Sequence, residues 1–149
     1  EMCIRDSSGF YCQGPDELKA VDVDMGDMPD VVQTLAVVAA FAKGDTRIRN
    51  IENLAYKESN RIEDTATELR KTGLEVETTV DSITIKPRPL HSAQFETYDD
   101  HRMAMSLGLL ASRVTGITMS DSDVVSKSFP TYWSCMQQLG FTINDLSEE

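Results

Sequence analysis

Four charged or titratable side chains stand together where a helix is predicted to begin. Asp99, Asp100, His101 and Arg102 are consecutive, and apolar residues recur behind them at helical spacing. Charges in the first turn of a buried helix are costly unless they are paired or bind a ligand. The free N–H groups and the positive dipole end of a helix N-terminus favour an anion, which makes this position a candidate anion site. We interpret Asp99 and Asp100 as helix caps, and His101 is alternatively an ordinary polar residue of an exposed turn.

Two carboxylates at other predicted helix starts are candidates for acid–base chemistry. Asp30 begins one helix, and Glu58 lies just before another. Two carboxyl groups with different neighbours can divide the roles, because one stays ionised while the other is held protonated. The alternative for Asp30 is a first-turn acid that complements the helix dipole. The alternative for Lys57 and Glu58 is a solvated charge pair.

Three cations occupy comparable positions: Arg61, Arg102 and Lys127. We call them the anion clamp, because two guanidinium forks and one ammonium group suit a ligand that carries both phosphate and carboxylate. Taken singly, Arg61 is alternatively a surface partner of Asp64 or Glu58, and Lys127 an ordinary surface lysine.

Helices and strands alternate along the chain and must position these groups. Asn60 and Glu63 have the spacing of a capping box at the second helix. The periodicity and the turn residues predict helices over 29–43, 60–72, 100–114 and 128–139. They predict strands over 20–24, 46–51, 74–79, 82–86, 95–98, 116–120 and 141–143.

This order of elements repeats. Asp30 and Asp100 are 70 residues apart (100 − 30), and so are Lys57 and Lys127 (127 − 57). We therefore predict an α/β fold of two repeated βαβαββ-type units, the first over 9–90 and the second, with the C-terminal tail, over 91–149. Equivalent helix starts then point the same way, so the candidate site residues converge. Residues 1–8 show no periodicity and no regular element is predicted there, so we interpret them as a non-matching leader and an artefact.

Composition excludes several functions. The net charge of −11 argues against a nucleic-acid or anionic-membrane surface. No apolar run approaches the ~20 residues of a membrane helix. Cys3, Cys12 and Cys135 are widely spaced, which fits reduced thiols in a cytoplasmic protein and gives no metal-ligand spacing.

At these residues the chain resembles the C-terminal part of the 5-enolpyruvylshikimate-3-phosphate synthase family, one of the enolpyruvyl transferases. Several separated motifs occur in the right order, which is more specific than any one of them. The resemblance covers about residues 14–141. The matching segments are 28–30 with 34–37, 50–53, 57–61, 67–73, 98–105 and 127–130.

The resemblance implies a reaction and a division of roles. The family transfers the enolpyruvyl group of phosphoenolpyruvate to the 5-hydroxyl of shikimate 3-phosphate and releases phosphate, in the shikimate pathway of aromatic amino acid biosynthesis. By position, Asp30 matches the proton acceptor, which also touches the shikimate ring hydroxyls. Glu58 matches the proton donor near the methylene carbon. Asn53 and Lys57 match contacts to shikimate 3-phosphate.

The same resemblance assigns the anion clamp to phosphoenolpyruvate. Arg61, Arg102 and Lys127 match the contacts to this substrate, and His101 matches a neighbouring site residue. The family needs no metal and no cofactor. Departures are modest: Asn60 replaces a more usual Asp, Gln33 a Pro and Ser128 a Thr.

The main departure is length. The family enzyme is much longer and folds as two similar domains of three units each, so we expect this chain to be a C-terminal fragment, inactive without the N-terminal part of the same enzyme. Two alternatives stay open. One is a UDP-N-acetylglucosamine enolpyruvyl transferase, and the other is a non-catalytic anion-binding module.

Overall fold

A computed structural model of the chain describes residues 2–6 and 9–146. The strands within these ranges are β1 (Met2–Asp6), β2 (Gly9–Gln13), β3 (Leu18–Lys19), β4 (Asp22–Asp24), β5 (Ala42–Lys43), β6 (Thr46–Arg49), β7 (Glu75–Thr78), β8 (Ser82–Lys86), β9 (Gln94–Phe95) and β10 (Thr118–Met119). The α-helices are α1 (Val32–Ala39), α2 (Arg61–Arg70), α3 (His101–Gly108) and α4 (Tyr132–Gln138). Short 3-10 segments cover Pro29–Val31, Glu52–Tyr56, Leu109–Ser112 and Ser122–Lys127.

The first predicted unit is built on a four-stranded sheet with the order β4-β6-β8-β7. β4 and β6 are parallel, and α1 connects them, whereas β8 is antiparallel to both of its neighbours. Alternation in β6 buries Thr46 and Ile48 and leaves Arg47 exposed, as expected for a strand with one covered face. The predicted hairpin of β7 and β8 is confirmed.

The second unit repeats the first half of this pattern. β9 and β10 are parallel and are connected by α3, as β4 and β6 are connected by α1. In both copies a 3-10 segment and a second helix follow, Glu52–Tyr56 with α2 and Ser122–Lys127 with α4. The predicted strand over 141–143 is wrong, because these residues form no regular element. The α/β class and the repeat are confirmed, and the division at residue 90 stays a prediction.

Several predicted helix limits are wrong for identifiable reasons. The first helix ends at Ala39, because Ala42–Lys43 pairs as β5 with β3. The predicted helix over 128–139 begins only at Tyr132, since a residue before a proline, here Phe129, is disfavoured in helical conformation. The third helix tightens to 3-10 geometry after Gly108, where the Trp133 ring approaches the backbone so closely that a Cβ would lie 3.1 Å from it.

The N-terminal segment is also corrected. Met2–Asp6 forms β1, antiparallel to β2, so the expectation of no regular element in residues 1–8 is wrong for the part that the structure describes. The interpretation of the segment as an artefact stays a prediction.

One hydrophobic core spans both predicted units. It is formed by the inner face of the sheet, by α1 and α2, and by Phe95 and α3 from the second unit. Ile48, Ile85 and Leu107 are among its fully buried members. A smaller cluster joins Ala104 of α3 to Tyr132 and Met136 of α4. No helix within residues 2–6 and 9–146 is long and apolar enough to cross a membrane.

Candidate functional site

Arg61 is the buried centre of the charged cluster. It is the first residue of α2, and its side chain is only 2% exposed. Its Nε donates to Asp100 Oδ2 at 2.6 Å, and its Nη2 donates to Asp100 Oδ1 at 3.3 Å. The Asp100 side chain is fully buried. Because an unpaired buried charge is strongly disfavoured, this two-pronged pair fixes α2 of one unit against α3 of the other.

Asp100 has a second function in the same place. It is the N-cap of α3, and its Oδ1 accepts from the Arg102 backbone N–H at 2.8 Å. The prediction that Asp100 caps this helix is therefore confirmed. Asn60 caps α2 in the same way, since its side chain accepts from the Glu63 N–H at 3.3 Å, which confirms that half of the predicted capping box.

Asp30 connects the two guanidinium groups. Arg102 Nη2 donates to Asp30 Oδ2 at 2.9 Å, and Arg102 Nη1 donates to the Asp30 carbonyl oxygen at 3.1 Å. Asp30 Oδ1 also lies 3.5 Å from Arg61 Nη1. The Asp30 side chain is 54% exposed, so it is open to solvent, unlike Asp100. Asp30 is thus an acid in the first turn of its 3-10 segment and also the ion-pair partner of Arg61 and Arg102.

Glu58 lies on the other side of Arg61. Its Oε2 accepts from Arg61 Nη2 at 2.7 Å, and about half of its side chain is exposed. The alternative interpretation, a solvated charge pair of Glu58 with Lys57, is wrong, because Glu58 pairs with Arg61. The two candidate acid–base carboxylates therefore flank a single guanidinium group.

Lys127 joins the cluster through Asp99. Its Nζ lies 2.6 Å from Asp99 Oδ1 and donates to the Asp99 carbonyl oxygen at 2.8 Å. The prediction that Asp99 is a helix cap is wrong, because Asp99 lies in a left-handed turn before the cap and contacts Lys127. Lys127 ends a 3-10 segment and does not open a helix. Lys57 follows the equivalent segment of the first unit, so the 70-residue spacing holds in the structure.

Three candidate residues stand outside this network of bonds. Asn53 and Lys57 are exposed, and their side chains form no hydrogen bond or ion pair with any residue that the structure describes. His101 is half-buried, and its Nδ1 is buried without a hydrogen-bond partner in the described part of the chain. The Asn53 and Lys57 side chains are therefore available to a ligand, whereas His101 Nδ1 is enclosed by the protein.

The balance of charge determines what the cluster can do. The three cations of the anion clamp are each paired with carboxylates of the same chain: Asp30, Glu58, Asp99 and Asp100. An anion that binds these cations therefore competes with the exposed carboxylates for them. In residues 2–6 and 9–146 no group of His, Cys, Asp and Glu side chains could hold a metal ion.

Sequence reasoning missed one buried acid below this cluster. Glu68 on α2 is fully buried, and its carboxylate accepts from the Tyr98 hydroxyl at 2.7 Å and from the Glu96 N–H at 3.0 Å. Lys71 Nζ lies 2.7 Å from the same carboxylate. Burial and Glu68 together raise the pKa of Tyr98 above its usual range. The helical periodicity of α2 could have shown that Glu68 is buried, because Glu68 lies on the same face of the helix as the buried Thr65 and Leu69.

Comparison with known proteins identifies relatives of this chain. The family model described as EPSP synthase (3-phosphoshikimate 1-carboxyvinyltransferase) matches residues 4–136. The match begins inside the segment that we interpreted as a non-matching leader. The 3-phosphoshikimate 1-carboxyvinyltransferase of Nostoc punctiforme is 42% identical over 137 residues, which are 91% of this chain and 32% of that protein. The enzyme of the same name from Shewanella oneidensis is 52% identical over 117 residues, which are 78% of this chain and 28% of that protein.

Solved structures agree with the sequence matches. EPSP synthase from Acinetobacter baumannii superposes with a TM-score of 0.83 at 27% identity, over 97% of this chain and 36% of that chain. The enolpyruvyl transferase NikO from Streptomyces tendae has a TM-score of 0.75 at 20% identity, covering 96% of this chain and 33% of its own, and shows the shared fold. The chain thus spans about a third of the length of the relatives that it matches.

Proposed function

Because the chain belongs to the EPSP synthase family, we propose that it supplies one wall of an active site that transfers the enolpyruvyl group of phosphoenolpyruvate to the 5-hydroxyl of shikimate 3-phosphate and releases phosphate. The observation that carries the proposal is the meeting of Arg61 and Arg102, from the two units, at Asp30. Transfer between two anionic substrates needs fixed cations beside an acid–base group, and this junction provides both.

In the proposed binding step, phosphoenolpyruvate replaces exposed carboxylates of the chain on the anion clamp. Asp30 on Arg102 and Asp99 on Lys127 are each more than half exposed, so a ligand can reach both pairs. Arg61 differs, because its Nε is held by the buried Asp100 and only its Nη atoms face Glu58 and Asp30. Asp100 thus fixes the orientation of Arg61, and a ligand reaches the Nη atoms of Arg61 by replacing Glu58 or Asp30.

In the proposed chemical step, the 5-hydroxyl oxygen adds to C2 of phosphoenolpyruvate as C3 receives a proton. Asp30 takes the hydroxyl proton, and Glu58 gives its proton to C3. Glu58 then removes a C3 proton, the C2–C3 double bond re-forms, and phosphate leaves with the proton held by Asp30. Both carboxyl groups return to their starting states, and the anion clamp stabilises the departing phosphate.

The remaining candidate residues complete the proposal. Asn53 and Lys57 contact shikimate 3-phosphate, which is consistent with their exposed and unpaired side chains. His101 lies next to the anion clamp as a neighbouring site residue. The rest of the site belongs to the N-terminal part of the same enzyme, so the 149-residue chain alone is inactive. The protein acts in the cytoplasm.

A chimera tests this proposal. The 137 residues that align with the Nostoc punctiforme relative replace the matching segment of that enzyme. Phosphate release is measured with phosphoenolpyruvate and shikimate 3-phosphate. We expect turnover by the chimera and none by the 149-residue chain. Asp30→Asn and Glu58→Gln should each lower kcat about 100-fold or more, within the range that general acid–base groups contribute. Arg113→Met is the matched control, since Arg113 is exposed and forms no ion pair with described residues.

Three results would overturn the assignment. A folded chimera that binds both substrates but releases no phosphate would contradict the proposed activity. Full turnover by Asp30→Asn and Glu58→Gln would favour the non-catalytic anion-binding module for this part of the protein. Turnover of UDP-N-acetylglucosamine instead of shikimate 3-phosphate by the complete protein would favour the aminosugar enzyme.

A further inference from the structure

The turn before α3 has an uncommon backbone conformation. Tyr98 and Asp99 have φ values of 55° and 54°, and the Asp100 N–H donates to the Thr97 carbonyl oxygen at 2.9 Å. Two central residues with positive φ define a tight turn of the type I′ class, which glycine, asparagine and aspartate favour. Tyrosine is bulky and rarely adopts this conformation, so surrounding contacts must hold it there.

Glu68 provides those contacts from below. It is fully buried on α2, and its two carboxylate oxygens accept from the Tyr98 hydroxyl and from the Glu96 N–H, one residue on either side of Thr97. Lys71 pairs with the same carboxylate and also donates to the Gln94 carbonyl oxygen at 3.3 Å. The segment that enters the turn is thereby attached to α2 of the other unit.

The turn sends two neighbouring carboxylates in different directions. Asp99 meets Lys127 with both its carboxylate and its carbonyl oxygen. Asp100 points inward to the buried Arg61 and caps the helix that carries Arg102. All three cations of the anion clamp are therefore positioned by this turn.

We propose that Glu68 is a positioning residue that holds the Tyr98–Asp99 turn and thereby sets the arrangement of the anion clamp. Glu68 touches none of the three cations itself, and it acts through Tyr98 and the Glu96 backbone. The inference rests on the proposed function only for the identity of the ligand, because every contact that supports it lies within the chain.

The test uses Tyr98→Phe in the 149-residue chain, which removes the hydroxyl and keeps the ring. Glu68→Gln is the second variant. Its amide NH₂ group would face either the Tyr98 hydroxyl or the Glu96 N–H, and because an NH₂ group accepts no hydrogen bond, one of the two present bonds is lost. Tyr132→Phe is the matched control, because the Tyr132 hydroxyl also donates one 2.7 Å bond, to the Met105 carbonyl oxygen, away from the turn. Two readouts are needed: the NMR resonance of the Arg61 Nε–H, and the affinity for inorganic phosphate.

We expect Tyr98→Phe and Glu68→Gln to shift the Arg61 Nε–H resonance and to weaken phosphate binding about fivefold, a typical coupling between residues of one network. Tyr132→Phe should lower thermal stability and change neither readout. An unchanged Arg61 resonance in both turn variants would overturn the proposal, as would an equal change in Tyr132→Phe. If the wild-type chain binds no phosphate, the clamp assignment fails, while the Arg61 resonance still decides the role of Glu68.

Discussion

Removal of the Arg61 guanidinium group is the sharpest test of the buried network. Arg61→Met keeps an unbranched side chain of similar length and leaves the Asp100 carboxylate buried without its cation. Breaking one partner of a buried pair costs about 3–5 kcal/mol, a large part of the roughly 5–15 kcal/mol that stabilises a typical domain. The exposed partners Glu58 and Asp30 contribute little, because surface pairs are worth about 1 kcal/mol or less.

Thermal unfolding followed by circular dichroism measures this loss. For a chain of this size each kcal/mol corresponds to about 2–4 °C, so we expect the melting temperature to fall by about 10 °C or more. Arg49→Met is the matched control, since the Arg49–Asp22 pair is exposed on both sides, and its melting temperature should equal that of the wild type. The double variant with Asp100→Asn should recover part of the loss, because no charge is then left buried.

A small effect would refute this reasoning. If Arg61→Met melts within about 2 °C of the wild type, the Asp100 carboxylate must reach solvent or another cation, and the pair does not fix α2 against α3. If Asp100→Asn restores nothing, the loss comes from packing of the arginine side chain instead of the unpaired charge.

Three further outcomes follow from the same structure. Asp30→Asn should strengthen binding of inorganic phosphate about threefold to tenfold by calorimetry, because Arg102 loses its own carboxylate, whereas the exposed Asp27→Asn should not; equal affinities would contradict the exchange of anions on Arg102. Gly73→Ala should lower stability by about 1–3 kcal/mol in urea titrations, because Gly73 has a φ of 95° and a Cβ would lie 3.0 Å from the Pro89 carbonyl oxygen; a neutral effect would show that the Pro89 segment moves freely. Burial raises the pKa of Tyr132 from 10.0 to about 12, so between these pH values the folded chain keeps a proton that the unfolded chain loses. Stability should therefore fall as pH rises through this window, and Tyr132→Phe should flatten the fall; an unchanged slope would contradict the shift.

The local sequence pattern was sufficient to predict part of the fold. The hairpin of β7 and β8, the start of α2 at Asn60 and the cap at Asp100 depend on neighbouring residues, and all three were predicted. The early end of α1 at Ala39 was not predicted. The pairing of β3 with β5, which joins Leu18 to Ala42 across 24 residues (42 − 18), competes with continuation of the helix. Helix propensity is weak beside such tertiary contacts.

The candidate site shows the same division. Residue types and the 70-residue repeat predicted that Asp30, Arg61 and Arg102 come together, and the structure joins them by direct contacts. Glu58 was one of the two alternative partners of Arg61 in the sequence, and the structure shows that pair. The pair of Arg61 with Asp100 was not predictable, since these residues are 39 positions apart and their pairing depends on burial. Glu68 was missed because a glutamate on a helix is usually solvated, and only the fold shows its donors.

The self-pairing of the anion clamp has a consequence for how salt acts on it. A bare cationic pocket gathers mobile ions from solution, and a ligand must displace them, so its affinity falls steeply as ionic strength rises. In this chain Asp30 and Asp99 act as tethered counterions, whose local concentration is set by the fold and not by the buffer. An incoming anion competes with these attached groups at any salt concentration, and selectivity then depends on how many cations it can hold at once.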